Sequence, residues 1–210
     1  MLGMASHDLR NPLSAVMSLS EIMLDEKDKD YQNLSEEQKE FLKQINRSSQ
    51  FMLSIIEDML DISKIESGKI NLDLDLIDLA RLVNHSVSLN RRLAEKKEIS
   101  LEFIEPEQEI EITADAQKLE QVLNNLVTNA IKYSHPGTHI TVQIQKNNES
   151  SIILSVEDEG QGIPEKEQDN LFKPFSKTSV KATDGEMSTG LGLAITRRIV
   201  EAHGGEIWVE

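Results

Sequence analysis

The sequence predicts an α-helical hairpin that forms a dimeric four-helix bundle, followed by an α+β sandwich. Apolar residues recur at helical spacing over residues 2–27 and again from about residue 35. From residue 70 onward the pattern changes, because short alternating strands are mixed with helices that have clear start signals. We therefore expect two domains, one over residues 1–67 and one over residues 68–210.

The first predicted helix has an apolar stripe and a polar seam beside it. The stripe comprises Leu9, Leu13, Val16 and Met23, and the seam comprises His7, Asn11, Ser14, Ser18 and Glu21. The charged segment 25–33 has no apolar period, so it is predicted to be a loop. A second helix should begin near Ser35, since Ser35 and Gln38 have the spacing of a capping box.

The second helix carries more apolar surface than one partner helix can cover. Its main stripe alternates four- and three-residue steps, and further apolar residues widen it. The stripe is Phe41, Ile45, Ser48, Met52, Ile55, Met59 and Ile62, and the widening residues are Leu42, Leu53, Ile56 and Leu60. A four-helix bundle built from two chains would bury this surface, which predicts a homodimer. The alternative is an ordinary intrachain coiled hairpin.

The second domain is predicted from alternation and from helix caps. Strands are expected at 70–76, 99–104, 110–113, 140–146, 151–157 and 206–210, with helices at 78–97, 115–134 and 190–203. Asp78 and Asp115 are the expected N-caps. The stretch 158–189 is expected to be irregular.

Composition excludes several classes of function. The formal net charge of −15 argues against a nucleic-acid partner, because phosphate backbones need basic patches. The absence of cysteine excludes disulfides and thiolate zinc sites. No apolar run reaches the ~20 residues of a membrane helix, so a membrane link is expected only through an upstream region. We expect a cytoplasmic protein, or the cytoplasmic part of a membrane-bound sensor.

The predicted helix 115–134 carries an unusual polar face. Asn125, Asn129 and Lys132 have i, i+4, i+7 spacing and so share one side of the helix. Asparagine is a poor interior helix former, and its side-chain oxygen is a neutral ligand that Mg²⁺ accepts beside nucleotide phosphates. Lys132 would add a positive charge for the same phosphates. The alternative is an ordinary solvated face.

Two glycine-containing segments favour a nucleotide site. Asp158, Gly160 and Gly162 follow a predicted strand, where glycines allow close approach to a planar ligand and an aspartate can accept a base's amine. The segment 188–193 opens a helix whose free N–H groups suit phosphate. Between these segments, 176–189 is predicted to be a mobile lid. Phe172 and Phe175 would anchor its base, and plain core packing of the two rings is the alternative, which is compatible with that role.

Five motifs, in order along the chain, resemble those of sensor histidine kinases. They are Ser6–Leu13 (SHDLRNPL), Asn125–Ser134 (NLVTNAIKYS), Asp158–Gly162 (DEGQG), Leu171–Phe175 (LFKPF) and Thr189–Leu193 (TGLGL). The first resembles the family's phosphoacceptor box and the other four its nucleotide boxes. The resemblance covers essentially the whole chain, and it implies autophosphorylation from ATP with Mg²⁺ and transfer to a response-regulator receiver domain.

The resemblance also implies roles for single residues of the first domain. His7 would be the phosphoacceptor, and Asp8 would orient or deprotonate its imidazole. Asn11, one turn further on, would position water when the partner is dephosphorylated. On its own, His7 would be interpreted as an ordinary surface histidine.

In the second domain the resemblance implies an ATP site. Asn125 and Asn129 would hold Mg²⁺ and phosphate, Lys132 the phosphates, and Tyr133 and Asp158 the adenine. Pocket and lid would be formed by Gly160, Gly162, Phe175, Lys177, Thr189, Gly190, Leu191 and Gly192. Family members usually continue past residue 210 through a further strand, so we expect a sheet that lacks an edge strand.

Two other classes of function share parts of this pattern. Gyrase-like and MutL-like ATPases carry a glutamate as general base where this chain has Asn125, and an amide cannot take a proton. A serine-directed kinase of the same fold, or a purely dimeric interaction module, is the second alternative. The acid stability of bound phosphate distinguishes these possibilities.

Overall fold

The computed structural model describes the backbone of residues 2–25, 34–66, 71–147 and 151–210, and their side chains except those of 2–8 and 64–66. The chain divides into two compact units, Met1–Lys69 and Ile70–Glu210. The division separates the helical hairpin from the part of the chain that contains strands.

The first unit is a hairpin of α1 (Leu2–Leu24) and α2 (Glu36–Glu66). The predicted capping box is confirmed, because the backbone N–H of Ser35 donates to Gln38 Oε1 (2.8 Å) and the backbone N–H of Gln38 donates to Ser35 Oγ (3.2 Å). Residues 26–33 of the predicted loop lie outside the described residues.

A polar cluster joins the two helices inside the hairpin. Ser20 and Ser49 are buried. The side-chain amide of Asn46 donates to Ser20 Oγ (3.1 Å) and to the carbonyl oxygen of Met17 (3.4 Å). Small side chains allow close approach of the helices, and the hydrogen bonds of the half-buried Asn46 amide favour one register of the two helices.

The second unit is an α+β sandwich, as predicted. Its elements are β1 (Asp75–Asp78), α3 (Leu79–Lys96), β2 (Ser100–Ile104), β3 (Glu111–Ala114), α4 (Ala116–Tyr133), β4 (His139–Lys146), β5 (Ile152–Asp158), α5 (Glu165–Gln168) and α6 (Gly192–Ala202). The sheet has the order β2-β4-β5, with β4 parallel to β2 and antiparallel to β5. β1 and β3 form a separate antiparallel pair. The main core lies between α3, α4 and this sheet.

The two predicted N-caps are confirmed. Asp78 accepts a hydrogen bond from the backbone N–H of Arg81 (3.1 Å), and Asp115 accepts one from that of Lys118 (3.0 Å). Each aspartate satisfies an amide that the first turn of its helix leaves without an intrahelical partner.

Three strand and helix predictions are wrong in part. The strand predicted at 70–76 begins only at Asp75, because its partner β3 ends at Ala114 where Asp115 caps α4. The backbone N–H of Asp73 donates instead to Asp115 Oδ2 (3.0 Å). Residues 206–210 form no strand, since no described strand pairs with them. The short helix α5 lies within the stretch predicted to be irregular.

Among the helices that the structure describes, none combines the length and the apolar character needed to cross a membrane.

Candidate functional site

Helix α4 presents the polar face that its sequence predicts. Asn125, Asn129 and Lys132 are half-buried. The opposite face fills the core with Val122, Leu123, Val127, Ala130 and Ile131. The three polar side chains therefore lie at the edge of the core, partly shielded from water.

The side chain of Asn125 is oriented by the first turns of α6. Its Nδ2 donates to the carbonyl oxygen of Gly192 (3.3 Å) and to Thr196 Oγ1 (3.4 Å). A Cβ at Gly192 would lie 3.2 Å from Asn125 Oδ1, so any larger residue there would crowd the amide. Because the nitrogen is committed to α6, the carbonyl oxygen is the group that Asn125 can offer to a cation.

The two ends of the predicted lid, 176–189, meet at Gly190. A Cβ at Gly190 would lie 2.7 Å from the carbonyl oxygen of Ser176, and its φ of +72° suits glycine. Thr189 Oγ1 accepts a hydrogen bond from the backbone N–H of Leu191 (3.1 Å), and Leu191 is fully buried. The backbone after the end of the lid therefore packs closely against the backbone at its start, and this packing favours glycine at position 190.

Phe175 does not anchor the lid by core packing. Its side chain is 62% exposed, and its backbone adopts a positive φ of +59°. Phe172, by contrast, is half-buried. Plain core packing is therefore wrong for the Phe175 ring. A Cβ at Gly190 would lie 3.0 Å from the carbonyl carbon of Phe175, so the Phe175 backbone borders the base of the lid.

The lid lies against the C-terminal end of α4. Lys132 Nζ donates to the carbonyl oxygen of Met187. Thr183 donates to the carbonyl oxygen of Lys132 from its backbone N–H (3.2 Å), and its Oγ1 contacts the carbonyl oxygens of Lys132 (3.1 Å) and Ser134 (2.8 Å). These contacts satisfy carbonyls that the last turn of a helix leaves free. No motif or periodicity in the sequence points to this role of Thr183.

Burial lowers the pKa of Lys132. The positive charges of Lys177 and Lys97 lower this pKa further, while Glu186 opposes them. Lys97, Lys132 and Lys177 thus place three positive charges near the C-terminal end of α4. A bound polyanion would relieve the repulsion among these charges.

The glycine segment after β5 reaches the same end of α4. Asp158 Oδ1 accepts a hydrogen bond from the backbone N–H of Gly160 (2.9 Å). A Cβ at Gly160 would lie 3.0 Å from the carbonyl oxygen of Tyr133. Gly162 follows with a φ of +68°. Asp158, Gly160 and Tyr133, predicted from separate motifs, are therefore neighbours.

A histidine braces α6 against α4. His203 Nε2 accepts a hydrogen bond from the backbone N–H of Asp115 (3.1 Å), and Nδ1 lies 2.8 Å from the carbonyl oxygen of Ile199. A carbonyl can only accept, so the imidazole is neutral with its proton on Nδ1. Burial raises the pKa of Asp115, but backbone hydrogen bonds from Lys118, Asp73 and Gln117 outweigh burial and lower it. Sequence reasoning missed this brace.

In the first unit, α1 carries the predicted phosphoacceptor segment. The side chains of His7 and Asp8 lie outside the described residues. Asn11 is exposed, and Pro12 lies within the helix. Proline has no N–H, so it removes one backbone hydrogen bond from the turn that contains Asp8.

The site in the second unit fits a nucleotide with its metal. α6 begins at Gly192 without a side-chain cap, so its first N–H groups can receive phosphate. The ammonium of Lys132 and the amide oxygens of Asn125 and Asn129 are the donor set expected for phosphates and Mg²⁺. At Gly160, Gly190 and Gly192 a Cβ would lie only 2.6, 2.7 and 3.2 Å from neighbouring protein atoms, so the close packing around the site favours glycine at these positions.

Two family models match the chain. Residues 1–68 match the "His Kinase A (phospho-acceptor) domain", and residues 114–210 match the "Histidine kinase-, DNA gyrase B-, and HSP90-like ATPase". The circadian input-output histidine kinase CikA of Synechococcus elongatus is 36% identical over 213 residues, which is all of this chain and 28% of CikA. The chain therefore spans under a third of that relative.

Solved structures agree in fold. Full-length ShkA in complex with AMPPNP superposes with a TM-score of 0.72 at 28% identity, over 97% of this chain and 41% of ShkA. The catalytic domain of histidine kinase ThkA gives a TM-score of 0.57 at 31% identity, over 65% of this chain and 86% of that domain. The chain therefore belongs to the sensor histidine kinases of two-component systems, with a phosphoacceptor region followed by an ATPase-fold region.

Proposed function

We propose that this chain is the catalytic core of a protein-histidine kinase, with residues 1–67 as the dimerisation and phosphotransfer domain and 68–210 as the ATP-binding domain. It binds ATP with Mg²⁺, phosphorylates His7, and passes the phosphoryl group to an aspartate of a response-regulator receiver domain. The observation that carries this proposal is the placement of Asn125, Lys132 and the glycine segments along the C-terminal half of α4.

Each residue of the nucleotide site has a distinct role in this proposal. Asn125 and Asn129 provide oxygens for Mg²⁺, which neutralises phosphate charge when bound. Lys132 and the N-terminus of α6 bind the phosphates. Asp158 accepts the amine of adenine and Tyr133 lies against its ring. The lid is formed with Phe175, Lys177, Thr189 and Leu191, and the shape of the pocket depends on Gly160, Gly162, Gly190 and Gly192.

At His7 the proposed step is an in-line displacement. A ring nitrogen with a free lone pair attacks the γ-phosphorus, and the bond to the β–γ bridging oxygen breaks with its electrons leaving on ADP. The second ring nitrogen then loses its proton, and Asp8 orients the ring or accepts that proton. An unperturbed histidine is largely neutral at pH 7, so the nucleophile is available.

The receiver step reverses the role of His7. The carboxylate of the receiver aspartate attacks phosphorus, and the N–P bond breaks to regenerate the imidazole. We infer a cytoplasmic location for this chemistry, since ATP is the phosphoryl donor.

The hairpin supports a homodimer. Large apolar side chains on α1 and α2 are 40–62% exposed, and they are Leu9, Val16, Leu19, Ile22, Phe41, Ile45, Met52 and Met59. The last four belong to the heptad stripe of α2, whereas Leu42 and Leu53 are half-buried. A second copy of the hairpin would cover these side chains in a four-helix bundle.

Replacing Asn129 by alanine tests the metal face. We expect a loss of Mg-ATP affinity of about tenfold, since a ligand to charged groups is removed, and a parallel loss of phosphorylation. Isothermal titration measures the affinity. Gln117→Ala is the control, because it removes an exposed amide from the first turn of the same helix. An unchanged affinity together with a melted helix would assign Asn129 a structural role.

Replacing Asn11 by alanine tests the proposed phosphatase activity. Asn11 is exposed and lies four residues, about one helical turn, after His7 in α1. Its amide can hold water in line with the receiver's phosphoaspartate. We expect normal labelling of His7 and a longer-lived phosphorylated receiver. Ser14→Ala, also on the exposed seam, is the control. Equal slowing of labelling and of dephosphorylation would contradict this role.

A further inference from the structure

An ion pair links the body of the second unit to the lid. Lys97 directly follows α3, and its Nζ donates to the carbonyl oxygens of Ile131 and Lys132 (both 3.0 Å) and to Glu186 Oε1 (2.8 Å). The Lys97 side chain is 11% exposed and that of Glu186 is 36% exposed. The three N–H donors of one ammonium thus meet the last turn of α4 and the lid simultaneously.

Glu186 is held in its charged form. Burial would raise the pKa of its carboxyl, but the hydrogen bond from Lys97 and the backbone N–H groups of Glu186 and Asp184 outweigh burial and lower it. The hydrogen bond from the backbone N–H of Asp184 to Oε2 measures 3.0 Å. Both carboxylate oxygens therefore have partners, which fixes the orientation of the side chain.

The Glu186 carboxylate offsets the positive charge of the lysines at this end of α4, which bound phosphates would also offset. Among the charges that act on Lys132, Glu186 is negative and Lys97 and Lys177 are positive. The adjacent residue, Met187, accepts a hydrogen bond from Lys132 through its carbonyl oxygen. One short segment of the lid thus engages both Lys97 and Lys132.

We propose that Lys97 and Glu186 are positioning residues of the nucleotide site. Their ion pair holds the lid against the C-terminal end of α4 until ATP displaces the lid. This inference rests on the proposed ATP site. Phosphates that reach Lys132 compete with the Met187 carbonyl and with the negative field of Glu186. Weakening the pair therefore frees the lid and strengthens nucleotide binding.

Glu186→Gln in the full chain tests this inference, with Asp184→Asn as the matched control. Both substitutions remove one negative charge from the same loop, but the ion pair with Lys97 belongs to Glu186, and the backbone N–H of Asp184 is kept in the control. Without nucleotide, we expect faster amide hydrogen exchange at residues 183–187 in Glu186→Gln only. With Mg-ATP, we expect the Kd to fall about two- to fivefold, as for a partly exposed ion pair.

A second variant, Lys97→Gln, removes the other member of the ion pair and so tests the attachment of the lid independently. It should accelerate exchange at residues 183–187 as Glu186→Gln does. Unchanged exchange in both variants would overturn the fastening of the lid, and faster exchange with an unchanged or weaker Kd in Glu186→Gln would overturn competition with ATP. Failure of the parent chain to bind Mg-ATP would instead contradict the proposed function, which separates the two failures.

Discussion

We expect that replacing His7 by alanine abolishes phosphorylation of the chain and leaves its ATP affinity nearly unchanged. The substitution removes the nucleophilic nitrogen, and an alanine side chain cannot accept a phosphoryl group. ATP affinity is retained because the acceptor segment and the nucleotide site belong to different compact units. Incubation with γ-labelled ATP and Mg²⁺ measures the first effect, and isothermal titration measures the second.

His85→Ala is the matched control for this substitution. His85 lies on α3 with its side chain 63% exposed, near Glu120, and it has no role in the proposed chemistry. Labelling above background in His7→Ala would show another acceptor. A parallel loss of ATP binding would contradict the assignment of the two functions to separate units.

We expect lysine at both Met52 and Met59 to convert the proposed dimer into a monomer. These side chains are 44% and 47% exposed in the single hairpin, so each lysine can reach water within one chain. In the proposed bundle the same positions face the second copy, and burying unpaired ammonium groups costs several kcal/mol. The molar mass from light scattering at micromolar concentration should fall by half, with ATP affinity retained.

A control lysine separates charge from position. Gln50→Lys adds the same charge to an exposed site on α2, about half a turn round the helix from Met52, and should leave the dimer intact. A monomeric parent chain, or an unchanged mass in the double variant, would contradict the bundle.

Local signals made much of the fold predictable. Ser35 and Gln38, or Asp115 and Lys118, are three residues apart, so the sequence alone contains both partners of each cap. The length of β1 depends on where β3 ends, at Ala114. That limit comes from a distant partner, and alternation within 70–76 could not reveal it.

Part of the candidate site could also be predicted from local sequence, and part could not. The polar face of α4 follows from helical periodicity, and the glycine-containing segment 189–193 predicts the close packing that is seen between Gly192 and Asn125. Lys97 and Glu186 are 89 residues apart, and His203 contacts Asp115 across 88 residues. Such pairs depend on tertiary packing, so no local pattern marks them. The motif likewise specifies neither the positive φ of Phe175 nor the exposure of its ring.

The acid stability of phosphate on the chain tests the central claim most directly. The N–P bond of phosphohistidine is hydrolysed in acid, because a protonated imidazole is a good leaving group, whereas the ester of phosphoserine survives. After incubation with γ-labelled ATP and Mg²⁺, we expect label on the protein that is stable in alkali and lost in acid. Label that survives acid would indicate a serine kinase, and ATP hydrolysis without label would indicate a gyrase-like ATPase.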